Sequence, residues 1–400
     1  MRPLILAASL GLLSAAAHAK ITVDGRADEA DWANARRFGD FVQIQPLSET
    51  PVPERFATEA MLLSTPEGIA VNIRAKQPKD VPRTKSRIPR DADGQMDRMN
   101  FMVDFDGEGR SGFDFTVTAG GDVIDSVISN ENQFNSDWDG DWQHAVHEDD
   151  EGYSIEWLIP WSIAPMKNSA AETRTIGVFF SRVISATGER WAYPNAIWTR
   201  PRYLSDFERI EIPQYRASSF AFTPYVVARR DLANADSDYK AGMDLFWKPN
   251  GDHQFAATIN PDFGQVESDQ LVVNFDAIET FYTDKRPFFT ENQAYFQVNN
   301  PGGQMFYTRR VGASSDDGSG AADINAAVKA NGSFGDLGYG VFAASEDGEA
   351  GRDFLLARAT HVGDDLTLGL TQTHVDRPFL DRVADVSSVD ARWRPNAQWS

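Results

Sequence analysis

The chain has 400 residues, no cysteine and a formal charge of −21. An acidic surface repels phosphate, which excludes a general nucleic-acid binder. Without thiols there are no disulfides, thiolate-held zinc ions, iron–sulfur clusters or cysteine nucleophiles. A composition 42% apolar and 12% aromatic is too rich for disorder, and the length suits two or three folded units.

The amino terminus reads as an export signal over residues 1–19. Arg2 supplies the positive start, Pro3 to Ala17 is apolar, and Ala17-His18-Ala19 is a small-x-small cleavage site ahead of Lys20. The apolar run falls short of the ~20 residues that a spanning helix needs. Removal of the signal takes away only Arg2 among the charges, so the mature chain would carry −22. The expected location is the periplasm or outer membrane of a Gram-negative-type bacterium. No other stretch is long and apolar enough for a transmembrane helix, whereas membrane β-strands are short and alternating and so remain open.

Residues 20–212 hold seven of the ten tryptophans and read as short strands between turns, the pattern of a β-sandwich. Strands are expected over Arg98–Phe105, Phe113–Thr118, Tyr153–Ile159 and Ile176–Val183. One short helix, Glu29–Arg36, is expected behind Asp28 as its N-cap.

Residues 213–400 change texture. Leu366, Leu368 and Leu370 alternate with Thr367, Gly369 and Thr371; Ile324, Ala326 and Val328 alternate with Asn325, Ala327 and Lys329. Met243, Leu245 and Trp247, then Tyr339, Val341 and Ala343, then Val389, Ala391 and Trp393 repeat the pattern. Turns are expected at Gly332-Ser333 and Gly363-Asp364-Asp365. One apolar and one small or polar face on runs of this length predict an antiparallel outer-membrane-type β-barrel of about eight strands. A second soluble sandwich also alternates and is the competing reading. Residues 260–312 break the pattern as an aromatic-rich insertion, expected to pack inside or at the rim of the barrel or against the first domain. Ser400 follows a strand closely, and the barrel is expected to be incomplete.

Most chemical motifs dissolve on inspection. Gly107-Glu108-Gly109-Arg110-Ser111-Gly112 has dinucleotide-loop spacing, but a strand pattern follows it instead of a helix, so it reads as a hairpin turn. H-E-x-x-H and G-x-S-x-G are absent from the sequence, and no catalytic residue is assigned. Two constellations remain. Asp97, Asp104, Asp106 and Asp125 are candidate ligands of a Ca2+ ion, a hard cation that takes carboxylate oxygens; the alternative is a solvated acidic turn. Trp138 and Trp142, with Asp137 and Asp139, are candidates for ligand contact, because flat indoles stack on sugar C–H faces while carboxylates take the hydroxyls. The alternative is plain packing.

Ile21–Gln43 (ITVDGRADEADWANARRFGDFVQ), with Asp24, Gly25, Asp28, Glu29 and Trp32 in place, resembles the opening of the family 9 carbohydrate-binding-module-like domain. The segments MDRMNFMVDFDGEGRSGFDFTVTAGGDVID and DWQHAVHEDDEGYSIEWLIPWSI resemble its central hairpin and its Glu-x-x-Ile-Pro-Trp region. The resemblance implies a sandwich with a carbohydrate or glycan ligand and Ca2+ as companion; such modules often accompany enzymes that cut O-glycosidic bonds. INPDFGQVESDQLVVN, DKRPFF and FYTRRVG resemble an exported bacterial family, catalogued as a domain of unknown function, in which a barrel follows this module. The resulting expectation is an envelope protein that recognises or takes up glycan, with two alternatives: a secreted glycoside hydrolase, or a structural barrel whose sandwich binds nothing.

Overall fold

The computed structural model describes residues 21–92, 94–136, 138–164, 166, 171–215, 218–231, 236–261, 284, 286–292, 295–296, 298, 305–363 and 366–393. The expected signal, Asp137, much of the 260–312 insertion and Ser400 lie outside these residues.

The chain is all-β, in antiparallel sheets. The first part carries β1 (Arg36–Phe38), β2 (Val42–Gln45), β3 (Leu47–Pro51), β4 (Thr58–Ser64), β5 (Gly68–Lys76), β6 (Arg98–Asp104) and β7 (Ser111–Thr118). It continues with β8 (Val123–Ser129), β9 (Gln133–Asn135), β10 (Gln143–Glu148), β11 (Gly152–Pro160), β12 (Thr173–Ile184), β13 (Glu189–Tyr193) and β14 (Glu208–Pro213). One sheet runs β1-β4-β5-β11-β10; the other runs β3-β2-β13-β12-β6-β7-β8-β9, with β14 also on β12.

The two sheets form a sandwich because their strands alternate toward a shared core. Val71, Ile73 and Trp157 from one sheet meet Phe101, Phe115 and Phe180 from the other. Each such side chain contributes roughly 1.5–3 kcal/mol on burial. The outer faces are partly covered as well. Trp32 and Ile21 lie over Met61, Ala70 and Leu158, and Tyr203, Leu204 and Phe207 lie over Met102 and Phe179.

All four strands expected here form, with small shifts at their ends. The glycines of the 107–112 motif make the β6–β7 hairpin: Gly107 and Gly109 take φ of +63° and +72°, conformations glycine reaches without penalty. The expected helix shrinks to a 3-10 turn, Ala30–Asn34, with no side-chain cap. Glu29, whose carboxylate could have capped it, instead accepts the amide of Thr22 at 2.8 Å and the indole N–H of Trp32 at 3.1 Å.

The second part is one meander of eight strands in sequence order: β15 (Ser219–Asp231), β16 (Asp236–Lys248), β17 (His253–Ile259), β18 (Ile324–Phe334), β19 (Leu337–Glu346), β20 (Asp353–Val362), β21 (Leu366–Arg377) and β22 (Arg382–Trp393). This sheet is open, with no pairing of β15 to β22 among the described residues. Two expectations change in detail. Gly332-Ser333 lies inside β18 and the turn comes at 335–336, because Gly332 pairs with His253 and Tyr339 so closely that a Cβ would lie 2.1 Å from the carbonyl oxygen of Asp252. A register shift between Ile324 and Ala326 turns Ile324 to the face opposite Val328, where it is buried.

The described part of the insertion packs on one face of this sheet. Phe289 and Phe296 join Ile324, Ala327, Phe342 and Leu356 in a core of their own. The sandwich meets the sheet at one end. Buried Lys248 donates to the carbonyls of Trp161, at 3.0 Å, and Ala164; the Met166 amide donates to Gly251, and Arg392 donates to Asn130.

Candidate functional site

Asp125 sits in β8 opposite Phe115, on the core side of the larger sheet. It is fully buried, so its charge needs partners. Both oxygens accept the Arg90 guanidinium at 2.8 Å, and Oδ2 also accepts the Trp142 indole N–H at 2.8 Å and the Gly140 amide at 2.9 Å. Its own amide donates to Asp91 at 2.8 Å. Asp139 closes the knot on the Arg90 Nε. Carboxylate oxygens of Asp91, Asp125 and Asp139 come within 4.8 Å of one another.

Crowding these acids together has the expected electrostatic result. Burial, opposed by the Asp125 amide and reinforced by the Asp125 charge, raises the Asp91 carboxyl to about 7. Burial also raises Asp125, against the hydrogen bonds from Trp142 and Gly140.

The four expected Ca2+ ligands do not converge. Asp97 and Asp104 bracket β6, roughly 23 Å apart at ~3.3 Å per residue. Asp97 accepts the Gln77 side chain at 2.6 Å and the Ser185 amide at 2.8 Å. Asp104 caps its own turn through the amides of Asp106, Gly107 and Gly109, and burial raises it to about 6. Asp106 faces Arg174 at 3.3 Å. Of the expected set, Asp125 alone belongs to the triad, together with Asp139 from the indole pair and Asp91, which sequence reading passed over.

The triad has the hard oxygens that Ca2+ takes, but the guanidinium already stands among them, so the arrangement as folded suits a closed ion-pair knot better than a divalent ion. Ca2+ is expected to leave the wild-type melting temperature unchanged. It should stabilise Arg90→Ala, by about 2.7 kcal/mol at a hundredfold excess over Kd; thermal melts with and without Ca2+ read this directly.

Trp138 belongs to the sandwich core and Trp142 packs against it. Trp138 is 4% exposed and sits edge-on to Phe113 and Phe115, with centroids at 5.2 and 6.0 Å. Trp142 is half-buried and edge-on to Phe115 at 5.3 Å. Of this pair, Trp142, beside exposed Asp139, is the one within reach of a ligand.

The eight-stranded sheet presents an unusual division. One face carries exposed Met243, Val328, Val341, Leu355, Leu370 and Val389. The other buries polar groups. Lys329 donates to the carbonyls of Phe288 and Glu291, at 2.5 and 2.8 Å. Arg358 bonds Thr371 at 2.6 Å and Asp390 at 2.6 and 3.0 Å. Glu346 takes Arg352 at 2.6 and 2.9 Å and the Gly312 amide at 2.7 Å.

Gly369 leaves the space for the Arg358–Asp390 pair, since a Cβ there would lie 2.4 Å from Asp390 Oδ1. Gly369→Val is expected to split the pair and cost about 1–3 kcal/mol, measured as a lower midpoint of unfolding.

The two distinctive motifs of this region lock to each other. Arg286, in DKRPFF, pairs with Asp284 at 2.6 and 2.8 Å and stacks 4.0 Å over the Phe289 ring. It also donates to the carbonyls of Thr308 and Val311, in FYTRRVG, at 2.9 and 2.7 Å.

Residues 217–333 match the family model of a domain of unknown function, DUF5916. That stretch spans β15 to most of β18 and contains both interlocked motifs. A comparison with curated proteins found no match for the chain.

Proposed function

We propose that residues 218–393 form part of the wall of an outer-membrane β-barrel and that the protein is an exported envelope component whose sandwich recognises a glycan. The observation that supports the wall is the polarity of the eight-stranded sheet: one face exposes apolar side chains, while the other buries charged and hydroxyl side chains beside a small aromatic core. Water-soluble sheets bury the apolar face, whereas barrels in lipid turn it outward and keep a polar interior. Seven of the strands run 10–13 residues, the length that crosses a bilayer when tilted. Charged side chains facing a polar interior suit a polar ligand.

Fractionation of cells making the full-length product tests the membrane assignment. Retention after alkaline carbonate and release by detergent are expected; recovery as a soluble periplasmic protein would overturn it. Glycan recognition draws on the resemblance of the sandwich to carbohydrate-binding modules and on Trp142 beside Asp139. A glycan array probed with detergent-solubilised protein should show binding that Trp142→Ala removes, with a melt alongside to separate loss of contact from loss of fold. A blank array for a folded wild type would sink that half of the reading.

A further inference from the structure

The connections of the eight-stranded sheet are unequal at its two ends. At one end lie 249–252, 335–336 and 363–365; at the other lie 232–235, 260–323, 347–352 and 378–381. Barrels of the bacterial outer membrane keep tight turns on the periplasmic side and long connections outside.

All the described hydrogen bonds between sandwich and sheet fall at the tight-turn end. Lys248, the last residue of β16, holds the carbonyls of Trp161 and Ala164, and Gly251 in the next turn accepts the Met166 amide. At the far side of the sheet, Arg392, near the end of β22, bonds Asn130 at 3.2 Å. The contacts therefore reach from the second strand to the last. Tyr295 of the inner segment lies within electrostatic reach of Asp106 and Arg110 in the β6–β7 turn. That turn of the sandwich thus approaches the packed interior from the same end. Aromatic side chains collect at this end too: Phe220 opposite Trp247, Phe334, and Trp393, as at a membrane interface.

We propose that the sandwich stands on the periplasmic side and lies across the tight-turn mouth of the wall. This rests on the reading of the wall as membrane-spanning. A glycan bound by the sandwich is then met in the periplasm, not at the cell surface.

The absence of cysteine makes a direct test possible, because any introduced thiol is the sole one. Asp150→Cys lies in the sandwich, where the native side chain is 90% exposed. Glu349→Cys lies in the exposed connection between β19 and β20. A membrane-impermeant maleimide should label Glu349→Cys in intact cells and Asp150→Cys only after the outer membrane is permeabilised. Labelling of Asp150→Cys in intact cells, with the protein still resistant to carbonate, overturns the placement and leaves the barrel standing. Protection of Glu349→Cys in intact cells, with carbonate resistance, overturns the placement as well. Protection of both thiols together with release by carbonate removes the membrane assignment itself.

Discussion

Leu370→Arg is expected to block stable insertion of the chain into the outer membrane. Leu370 lies midway along β21, between Ala359 and Val389 on neighbouring strands, and is 57% exposed. In water, arginine at so open a position changes stability by no more than about 0.5 kcal/mol. In lipid the same guanidinium at the midplane costs about 2–4 kcal/mol. The two solvents thus predict opposite phenotypes from one substitution. Heat-modifiability and the detergent-extracted yield of Leu370→Arg, compared with Leu370→Val, read the difference; a fully folded, abundant arginine variant would argue for a water-facing sheet.

The second large effect is expected at Glu156, the buried acid of β11. Its Oε2 accepts the amides of Asp24 and Gly25 at 3.0 and 2.9 Å, while Ser154 donates to the carbonyl of Gly25 at 2.7 Å. Gly25 takes φ of +88° and packs so close to His147 that a Cβ would lie 2.5 Å from the His147 amide nitrogen. The Asp24-Gly25 turn, which opens the resemblance to carbohydrate-binding modules, is therefore fastened to the sheet by the side chains of Glu156 and Ser154. Glu156→Ala orphans two amide donors, at about 1–3 kcal/mol each, and should loosen the segment that carries Trp32.

Glu156→Gln should act in the opposite direction. Burial raises the Glu156 carboxyl from 4.5 to about 7, against the two amide bonds. The folded state thus holds its proton more tightly than the unfolded chain. The stability this provides is complete below pH 4.5 and is lost as pH rises through about 7. Glutamine keeps the acceptor and carries no charge, so at pH 8 it should be more stable than wild type by about 3 kcal/mol. The advantage should vanish at pH 4. Denaturant melts at the two pH values check the sign.

Periodicity made much of this molecule legible. Alternation marked β6, β7, β11 and β12 and the outward Leu366-Leu368-Leu370 row, because a pleated strand sends every second side chain to the same face. The division into faces survived even where the expected turn moved from 332–333 to 335–336. The Ile324 face was illegible, since a bulge inserts a residue without changing composition. The acidic site was legible in type but not in membership. Asp125 stood out as a candidate Ca2+ ligand and Asp139 as an acid between two tryptophans. Arg90 and Asp91 come to them from the β5–β6 connection, and sequence spacing carries no trace of that crossing. Trp138 shows the limit of reading by residue type: a stacking platform and a core wedge have the same side chain, and burial alone separates them.

The polarity of the eight-stranded sheet also orders events in time. The sandwich carries its own apolar core and can complete its packing in water. If the sheet spans the membrane as proposed, its exposed apolar face is covered only when lipid replaces water. On that reading the sandwich matures first, with the strands beyond residue 218 trailing from it unfolded. The Lys248 contacts close last, as the end of an assembly sequence. Pulse proteolysis during biogenesis should find a protected fragment ending near residue 215 before the full-length chain becomes resistant.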